Sequence, residues 1–386
     1  MTDLVVLSLE AWDQVWRRNQ HLVAGLLRAD PTMRVLFVEP AADPLYAALA
    51  DRAFPRLGAG LRPGPDLSGI DAGRLWLLQP TKWLPRRVDP RADRRWAATV
   101  CRAVTRLGWR APRLWVNDLT GMALLDATTW PALYDVTDDW LLADRGTREH
   151  DRLVALERSL LADADEVVVC SPTLVETKGR HRPVTLIPNA VDLDGYHAVT
   201  DRPADLPPGP VALYAGTIHR DRIDLGLTVA TAGAVGAHGR LVLLGPAPLA
   251  ATDLAELTDA GVVVLGARPA AEVPAYLRHA DVLVVPHVVT PFTESLDPIK
   301  RYEYRAAGRP VVATAVAGFV GSGMPRLTVA TPDEFPAAVA AALAEAPGPS
   351  APMPPVDTAV PDWAIRVVDL HNVLKRLGAR SVRHRR

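Results

Sequence analysis

Short runs dense in valine, leucine and isoleucine alternate along the chain with longer segments whose apolar residues recur every three or four positions. Runs of the first kind lie at 4–9, 34–38, 74–79, 113–117, 132–136 and 166–170, and the rhythm restarts at 211–215, 240–244, 261–265, 281–285 and 310–314. Their lack of polar alternation predicts strands covered on both faces, as in parallel sheets. Between them, helices are predicted over 15–29, 91–107, 148–163, 271–279, 299–307, 333–345 and 362–377. In 148–163, Leu153, Leu156, Leu160 and Leu161 share one face. A polar, proline-rich stretch at 201–210 separates the two rounds, and a second at 346–361 precedes the last helix. The fold class expected is α/β: two doubly wound domains facing a central cleft, 1–195 and 208–360, with the final helix (362–378) returning to the first. In such sheets ligands gather at the carboxyl ends of strands, so chemistry is sought in the loops that follow them.

Length and composition narrow the picture. A chain of 386 residues, 49% apolar and 23% charged, suits two domains with sizeable cores. With 43 basic and 44 acidic residues the net charge is −1, which argues against a general nucleic-acid binder. Two cysteines, Cys101 and Cys170, are too few for a disulfide scaffold and fit a reducing compartment. No run reaches about 18 apolar residues and no basic leader precedes the first strand, so a cytoplasmic protein is expected. One stretch breaks the neutrality: Lys82, Arg86, Arg87, Arg91, Arg94, Arg95, Arg102, Arg106, Arg110 and Arg113 stand against Asp89 and Asp93, interleaved with Trp83, Trp96 and Trp109. A solvated helix face is the plain reading of 82–113. The sharper expectation is peripheral contact with an anionic membrane or a phosphate-bearing acceptor.

The richest segment is Asp297-Pro298-Ile299-Lys300-Arg301-Tyr302-Glu303, continuing to Gly308-Arg309-Pro310-Val311. It reads as a loop, a proline opening a helix, a glycine stop and a buried strand. A helix start offers free amides and the positive end of the dipole, hence a seat for phosphate. Lys300, one of only four lysines (with Lys82, Lys178 and Lys375), sits in that first turn, and Glu303 follows on nearly the same face. The plain alternative is an exposed Lys300–Glu303 ion pair.

This stretch resembles the donor-binding motif of GT-B glycosyltransferases, both the large family 4-like group and the teichuronic-acid and xanthan-type polysaccharide enzymes. Further matching pieces are Tyr214-Ala215-Gly216-Thr217 with Arg222-Ile223-Asp224, Val285-Pro286, Ile187-Pro188-Asn189, Val38-Glu39-Pro40 and Tyr134-Asp135-Val136-Thr137-Asp138-Asp139. The resemblance implies two Rossmann-like domains, with a nucleoside-diphosphate sugar on the second and a hydroxyl acceptor on the first. Position by position it implies Glu303 on the ribose and Lys300 on the diphosphate, beside Pro298 and Ile299. Gly216 and Thr217 would let the backbone approach the phosphates, Arg222 would be a further charge-neutralising group, and Arg268 would fall where the base is cradled; by its position alone, close behind the glycine turn, His219 is a further phosphate-contact candidate. A second glutamate common eight residues before Glu303 is replaced by Ser295, flanked by Glu294 and Asp297.

Transfer with inversion also needs a base for the acceptor hydroxyl. Asp138 is preferred, with its neighbour Asp139 and the more distant Asp118 as competitors; capping of the following turn is the plain reading of the adjacent pair. Trp12 and Trp16, four apart, with Arg17, form either an acceptor platform or a core ridge. His21 and His219 are polar or proton-handling candidates beside their structural readings. No HExxH, paired CxxC or flanked Asp-x-Asp occurs, so transfer without metal or cofactor is expected, the leaving charge being met by Lys300, the helix start and arginines. A sugar-nucleotide epimerase of the same fold and a nucleotide-binding, non-catalytic partner subunit remain the rival functions.

Overall fold

The computed structural model describes residues 2–45, 57–86, 88–142, 146–180, 182–198, 201–346 and 352–380. The chain forms two compact units. Unit 1 comprises Met1–Asp13, Arg18–Pro188 and Ala364–Arg386; unit 2 comprises Gln14–Arg17 and Asn189–Trp363. Arg87, part of the basic run, lies outside the described residues.

Unit 1 runs β1 (Thr2–Leu7), α1 (Arg18–Ala29), β2 (Met33–Val38), β3 (Gly60–Pro63), β4 (Leu75–Gln79), α2 (Ala92–Arg106), β5 (Arg113–Val116), α3 (Met122–Ala127), β6 (Ala132–Val136), α4 (Thr147–Asp163), β7 (Glu166–Val169), α5 (Pro172–Lys178) and β8 (Thr185–Leu186). Its eight strands lie in the order β3-β4-β2-β1-β5-β6-β7-β8. All pairs are parallel except β3 with β4. Strand order reverses between β1 and β5, the switch point at which doubly wound sheets open a crevice. The central strands are buried along their length, including Leu4, Val5, Leu36, Phe37 and Trp115, which is why their sequences lack alternation.

Unit 2 runs α6 (Asp194–His197), β9 (Val211–Ala215), α7 (Leu225–Val235), β10 (Arg240–Leu244), α8 (Ala251–Asp259), β11 (Val263–Gly266), α9 (Val273–His279), β12 (Val282–Val285), α10 (Pro291–Glu294), α11 (Ile299–Ala307), β13 (Val311–Ala313), β14 (Leu327–Val329) and α12 (Phe335–Ala344). Its six strands are all parallel, in the order β11-β10-β9-β12-β13-β14, with the switch point between β9 and β12. The last helix, α13 (Trp363–Arg380), belongs to unit 1 from Ala364 onward. It lies so close to α1 that a Cβ on Gly25 would come within 2.2 Å of Val367. His371 approaches Asp30 (3.8 Å) and Arg376 approaches Glu166 (3.4 Å) at the same junction.

The structure departs from the sequence reading at several elements. Helices α7 and α8 carry no expectation in the pattern: α7 reads Leu-Gly-Leu-Thr-Val-Ala-Thr-Ala-Gly-Ala-Val and has no polar stripe, because its exposed positions are Gly226, Ala230 and Gly233 while both threonines, Thr228 and Thr231, are buried. The first helix begins at Arg18, not at 15, so Trp12 and Trp16 precede it and share no helical face. They also fall in different units, Trp12 in unit 1 and Trp16 with Arg17 in unit 2. The two tryptophans therefore form no ridge along one helix. Among the described residues, no helix is long and apolar enough to cross a membrane.

Candidate functional site

The loop after β12 leads into α11 through a buried carboxylate. Asp297 accepts hydrogen bonds from the Asn189 backbone amide (2.6 Å) and from the Tyr302 hydroxyl (3.0 Å to each oxygen), while its carbonyl accepts from the Asn189 side-chain amide (2.5 Å). This clamp fixes where the helix starts. Pro298 stands at the N-cap in extended conformation (φ −69°, ψ 125°) with no side chain capping the turn, so the amides of Ile299 and Lys300 remain available. Gly308 closes the helix in the left-handed conformation at φ 71°, as its place after the last helical residue requires. The start of α7, at the same sheet edge, is occupied: the Asp224 carboxylate accepts from the Leu227 amide (2.9 Å). Of the two helix starts, the one at Pro298 is open to an anion.

Lys300 projects from that start toward the end of β9. Its Nζ donates to the Tyr214 hydroxyl (2.9 Å), lies 4.5 Å from the Tyr214 ring centre and stands 3.4 Å from His287 Nε2. The Tyr214 hydroxyl in turn donates to the Thr217 carbonyl (3.2 Å) and contacts His287 Nε2 at 3.2 Å. Two glycines make room for this cluster. Gly216 (φ 139°) would place a Cβ 3.1 Å from Lys300 Nζ, and Gly245 (φ 141°) would place one 2.1 Å from the Gly216 carbonyl oxygen. The loop carrying Arg222 is pinned to the loop carrying His287 by a bridge between Ile223 and His287 and by the Val288 amide donating to the Arg222 carbonyl (2.9 Å). The Arg222 guanidinium lies over the Phe292 ring at 5.7 Å.

Burial tunes this cluster. Burial, then the charge of Arg222, lowers the Lys300 pKa to about 7 against the opposing pull of Glu303. His287 is driven well below its usual value by burial, Lys300 and Arg222, and stays a neutral imidazole. Glu303, half-buried three residues after Lys300 and just under one helical turn on, is raised to about 7 by burial, with Lys300 opposing. The two make no ion pair within 4 Å among the described residues, so the plain surface-pair reading fails. A lysine and a glutamate both titrating near neutrality at a switch point are poised for a charged ligand.

The other expected donor residues lie elsewhere in this picture. Pro298 and Ile299 form the helix start itself. Ser295 is buried and turns its hydroxyl back to the Phe292 carbonyl (2.8 Å), ending α10. His219 is half-exposed and accepts at Nδ1 from the Asp221 amide (3.2 Å), with the Asp221 carboxylate alongside. Arg268 is not free to cradle a base with its guanidinium: it binds Asp205, the Tyr276 hydroxyl (3.1 Å) and the Leu265 carbonyl (2.8 Å). His287, the Tyr214 hydroxyl and Asp297 were absent from the sequence-derived set. The signal for His287 was its position straight after a buried parallel strand.

Unit 1 has its own cavity, of about 780 Å³, at the carboxyl ends of β1, β2, β5 and β6. Its floor rests on a buried polar network. Arg18 grips Asp135 with two bonds of 3.2 Å, the Trp115 indole donates to the same carboxylate (3.1 Å), and Asn117 donates to the Asp135 carbonyl (2.9 Å). Asp118 and Asp138 both line the cavity, half-buried. Asp118 accepts from the Thr120 amide (2.9 Å), and burial raises its pKa. Asp139 does not join them: it is buried and paired with Lys178 (3.0 Å), which also holds Glu157 (2.9 Å), so it is a structural charge rather than a base. The lining does not include Trp12 or Trp16. The Trp12 ring packs edge-on against Phe37 (centres 5.0 Å apart) while its amide donates to Glu39 (3.0 Å). Trp16 is half-buried, and the Arg17 guanidinium donates to the Val15 carbonyl (3.0 Å). His21, in α1, is held neutral by burial and Arg28, its pKa lowered to about 3. Among the described residues no group of three or more histidines, cysteines or carboxylates is placed to hold a metal ion.

Residues 209–346 match the model of the family Glycosyl transferases group 1, so this part of the chain is a domain of that kind. The whole chain is similar in structure to sucrose-phosphate synthase from Thermosynechococcus elongatus (TM-score 0.66, 18% identity, 98% of this chain and 100% of that one). It is also similar to HepE of Anabaena in complex with UDP (0.59, 14%, 97% and 100%). A third likeness is to a chain described as trehalose-6-phosphate from E. coli bound with UDP-2-fluoro glucose (0.59, 13%, 97% and 96%). These likenesses establish the GT-B fold. No curated protein sequence gives a significant match.

Proposed function

We propose that this GT-B chain, with its Glycosyl transferases group 1 domain, moves a sugar from a nucleoside-diphosphate sugar bound on unit 2 to a hydroxyl-bearing acceptor. The observation that carries the reading is the cluster at the open start of α11, where Lys300, Tyr214, His287 and the Gly216 backbone converge on uncapped amides at the β9/β12 switch point. In this reading the leaving diphosphate sits on the amides of Ile299 and Lys300 and gains the Lys300 ammonium, with Arg222 nearby as a second cation. That charge supply supports transfer without a metal ion, which assay in the presence of a chelator tests. Tyr214 and His287 are positioning residues: they accept from or abut Nζ and hold it at the glycine turn. Glu303 offers carboxylate oxygens to the ribose diol. Gly216 and Thr217 keep the backbone close to the phosphates, while Arg268 shapes its loop through Asp205 and Tyr276.

The acceptor is assigned to the cavity of unit 1. Asp118 is favoured over Asp138 as the group that takes the hydroxyl proton, because burial raises its pKa toward the working range of a general base. Uridine donors come first for testing, since UDP and UDP-2-fluoro glucose are the ligands described for two similar structures. Purified protein with UDP-sugars and a panel of sugar and sugar-phosphate acceptors should release UDP only when both substrates are present. Interconversion of the donor sugar without acceptor would instead support the epimerase. Tight UDP binding with no turnover on any acceptor would support the non-catalytic subunit.

A further inference from the structure

The segment entering α2 leaves three large apolar side chains in water. Trp83 and Val88 are each 66% exposed and Leu84 is 42% exposed, within six residues of chain. Isolated exposed apolar residues are ordinary, but three large ones within six positions of the chain are the composition of a contact surface. The helix that follows is basic on its outer face. Arg94, Arg95, Arg102 and Arg106 fall within about 120° of arc, a face on which Asp93 does not lie. Arg86 and Arg95 are neutralised by Asp93 and Asp89, but among the described residues Arg91, Arg94 and Arg106 form no ion pair. Residues 82–113 hold ten basic and two acidic side chains in a chain of net charge −1, so the positive charge is concentrated here and offset elsewhere.

We infer that this face of unit 1 docks on the surface of an anionic lipid bilayer, with Trp83, Leu84 and Val88 entering the headgroup layer and Arg91, Arg94 and Arg106 meeting lipid phosphates. Aliphatic and indole side chains bordered by arginines match the apolar-below, charged-above gradient of a bilayer interface. A nucleic-acid backbone would use the arginines and leave Leu84 and Val88 without a partner. The same surface adjoins the cavity, since Trp83 and Leu84 also line it. Docking therefore brings the cavity mouth to the headgroup layer, where a lipid-borne hydroxyl acceptor would enter. Membrane docking is independent of the transferase reading and is read without any turnover.

The test is flotation of the full chain with vesicles of phosphatidylcholine alone or with roughly one-third phosphatidylglycerol, at low ionic strength. The chain should float with anionic vesicles only and should be released as salt shortens the Debye length toward about 3 Å. Each exposed arginine removed should weaken partitioning by about fivefold, so Arg91→Ala with Arg94→Ala and Arg106→Ala together should cost about a hundredfold. Brominated lipid should quench part of the tryptophan emission, and Trp83→Phe should abolish that part. The inference is overturned by equal behaviour on neutral and anionic vesicles, by a triple variant that floats like the parent, or by quenching that survives Trp83→Phe. Binding to a duplex oligonucleotide but to neither vesicle would overturn it and point to nucleic acid.

Discussion

Replacing Lys300 with methionine separates what this side chain does for a ligand from what it does for the fold. Methionine keeps most of the length and apolar stem while removing the ammonium. In the ligand-free chain that ammonium is unfavourably placed, since its pKa is lowered to about 7 mainly by burial. Its neighbours are the Tyr214 hydroxyl and ring and a neutral His287, not a paired carboxylate. Removing it should therefore leave stability within about 1 kcal/mol, or a thermal midpoint within about 4 °C for a domain of this size. The ligand-bound chain is different. A hydrogen bond to a charged partner contributes about 1.5–3 kcal/mol, and two unit charges 4 Å apart at an effective dielectric near 20 interact by about 4 kcal/mol. Titration calorimetry should thus show UDP binding weakened by about 10- to 150-fold, with uridine, which lacks the diphosphate, unaffected. A UDP dissociation constant within about threefold of the parent's, or equal loss for uridine and UDP, refutes the diphosphate assignment.

The titration of the same site sets a pH dependence. Lys300 loses its charge above about 7, and Glu303 loses its charge and part of its acceptor capacity below about 7, so UDP affinity should peak near neutrality and fall on both sides. Above pH 7 binding should take up a proton, visible as a buffer-dependent heat, whereas a flat profile between about pH 5.5 and 9 would sink the idea. For the empty protein the sign is also fixed. Between about 7 and the ordinary lysine value of 10.5 the unfolded chain holds a proton the folded one lacks, so Lys300 makes stability rise with pH across that window. In unit 1, Asp118→Asn should lower turnover by about 10²- to 10⁴-fold with UDP affinity and thermal midpoint retained. Asp139→Asn should do the reverse, lowering stability by roughly 1–3 kcal/mol through loss of one of two partners of buried Lys178 while leaving the chemistry intact. If the two variants exchange these phenotypes, the proton-acceptor and structural assignments are swapped.

How far the sequence reaches depends on whether a residue's task is local. Helix α11 is legible because everything that defines it sits within eleven residues: Pro298 at its start, Lys300 in the first turn, Gly308 at its stop. The glycine turn at Gly216 followed from its place after a buried strand. Partners from distant segments were not legible. Nothing near His287 in the chain announces that Lys300 and Tyr214 meet it, and nothing near Arg268 announces Asp205. Asp139 and Asp138 are indistinguishable as neighbours, and only Lys178, from α5, tells them apart. Periodicity failed where its physical basis was absent. Helix α7 fills its solvent face with Gly226, Ala230 and Gly233 instead of a polar stripe, and Trp12 and Trp16 mimic a helical spacing in a segment that is not helical.

The two glycines at the carboxyl end of the unit 2 sheet stand in file behind Lys300. Gly245 backs onto the Gly216 carbonyl, and Gly216 in turn faces Nζ. Position 245 therefore bears on the Lys300 cluster at one remove, because a methyl added there would clash with the Gly216 backbone and force that turn to shift. Selection for nucleotide capture from a library randomised at 245 alone should return glycine almost without exception, and tolerance of alanine there would mean the turn yields more readily than its crowding suggests. The same crowding makes positions 245 and 216 a single inherited unit, free to vary only if both loops are rebuilt together.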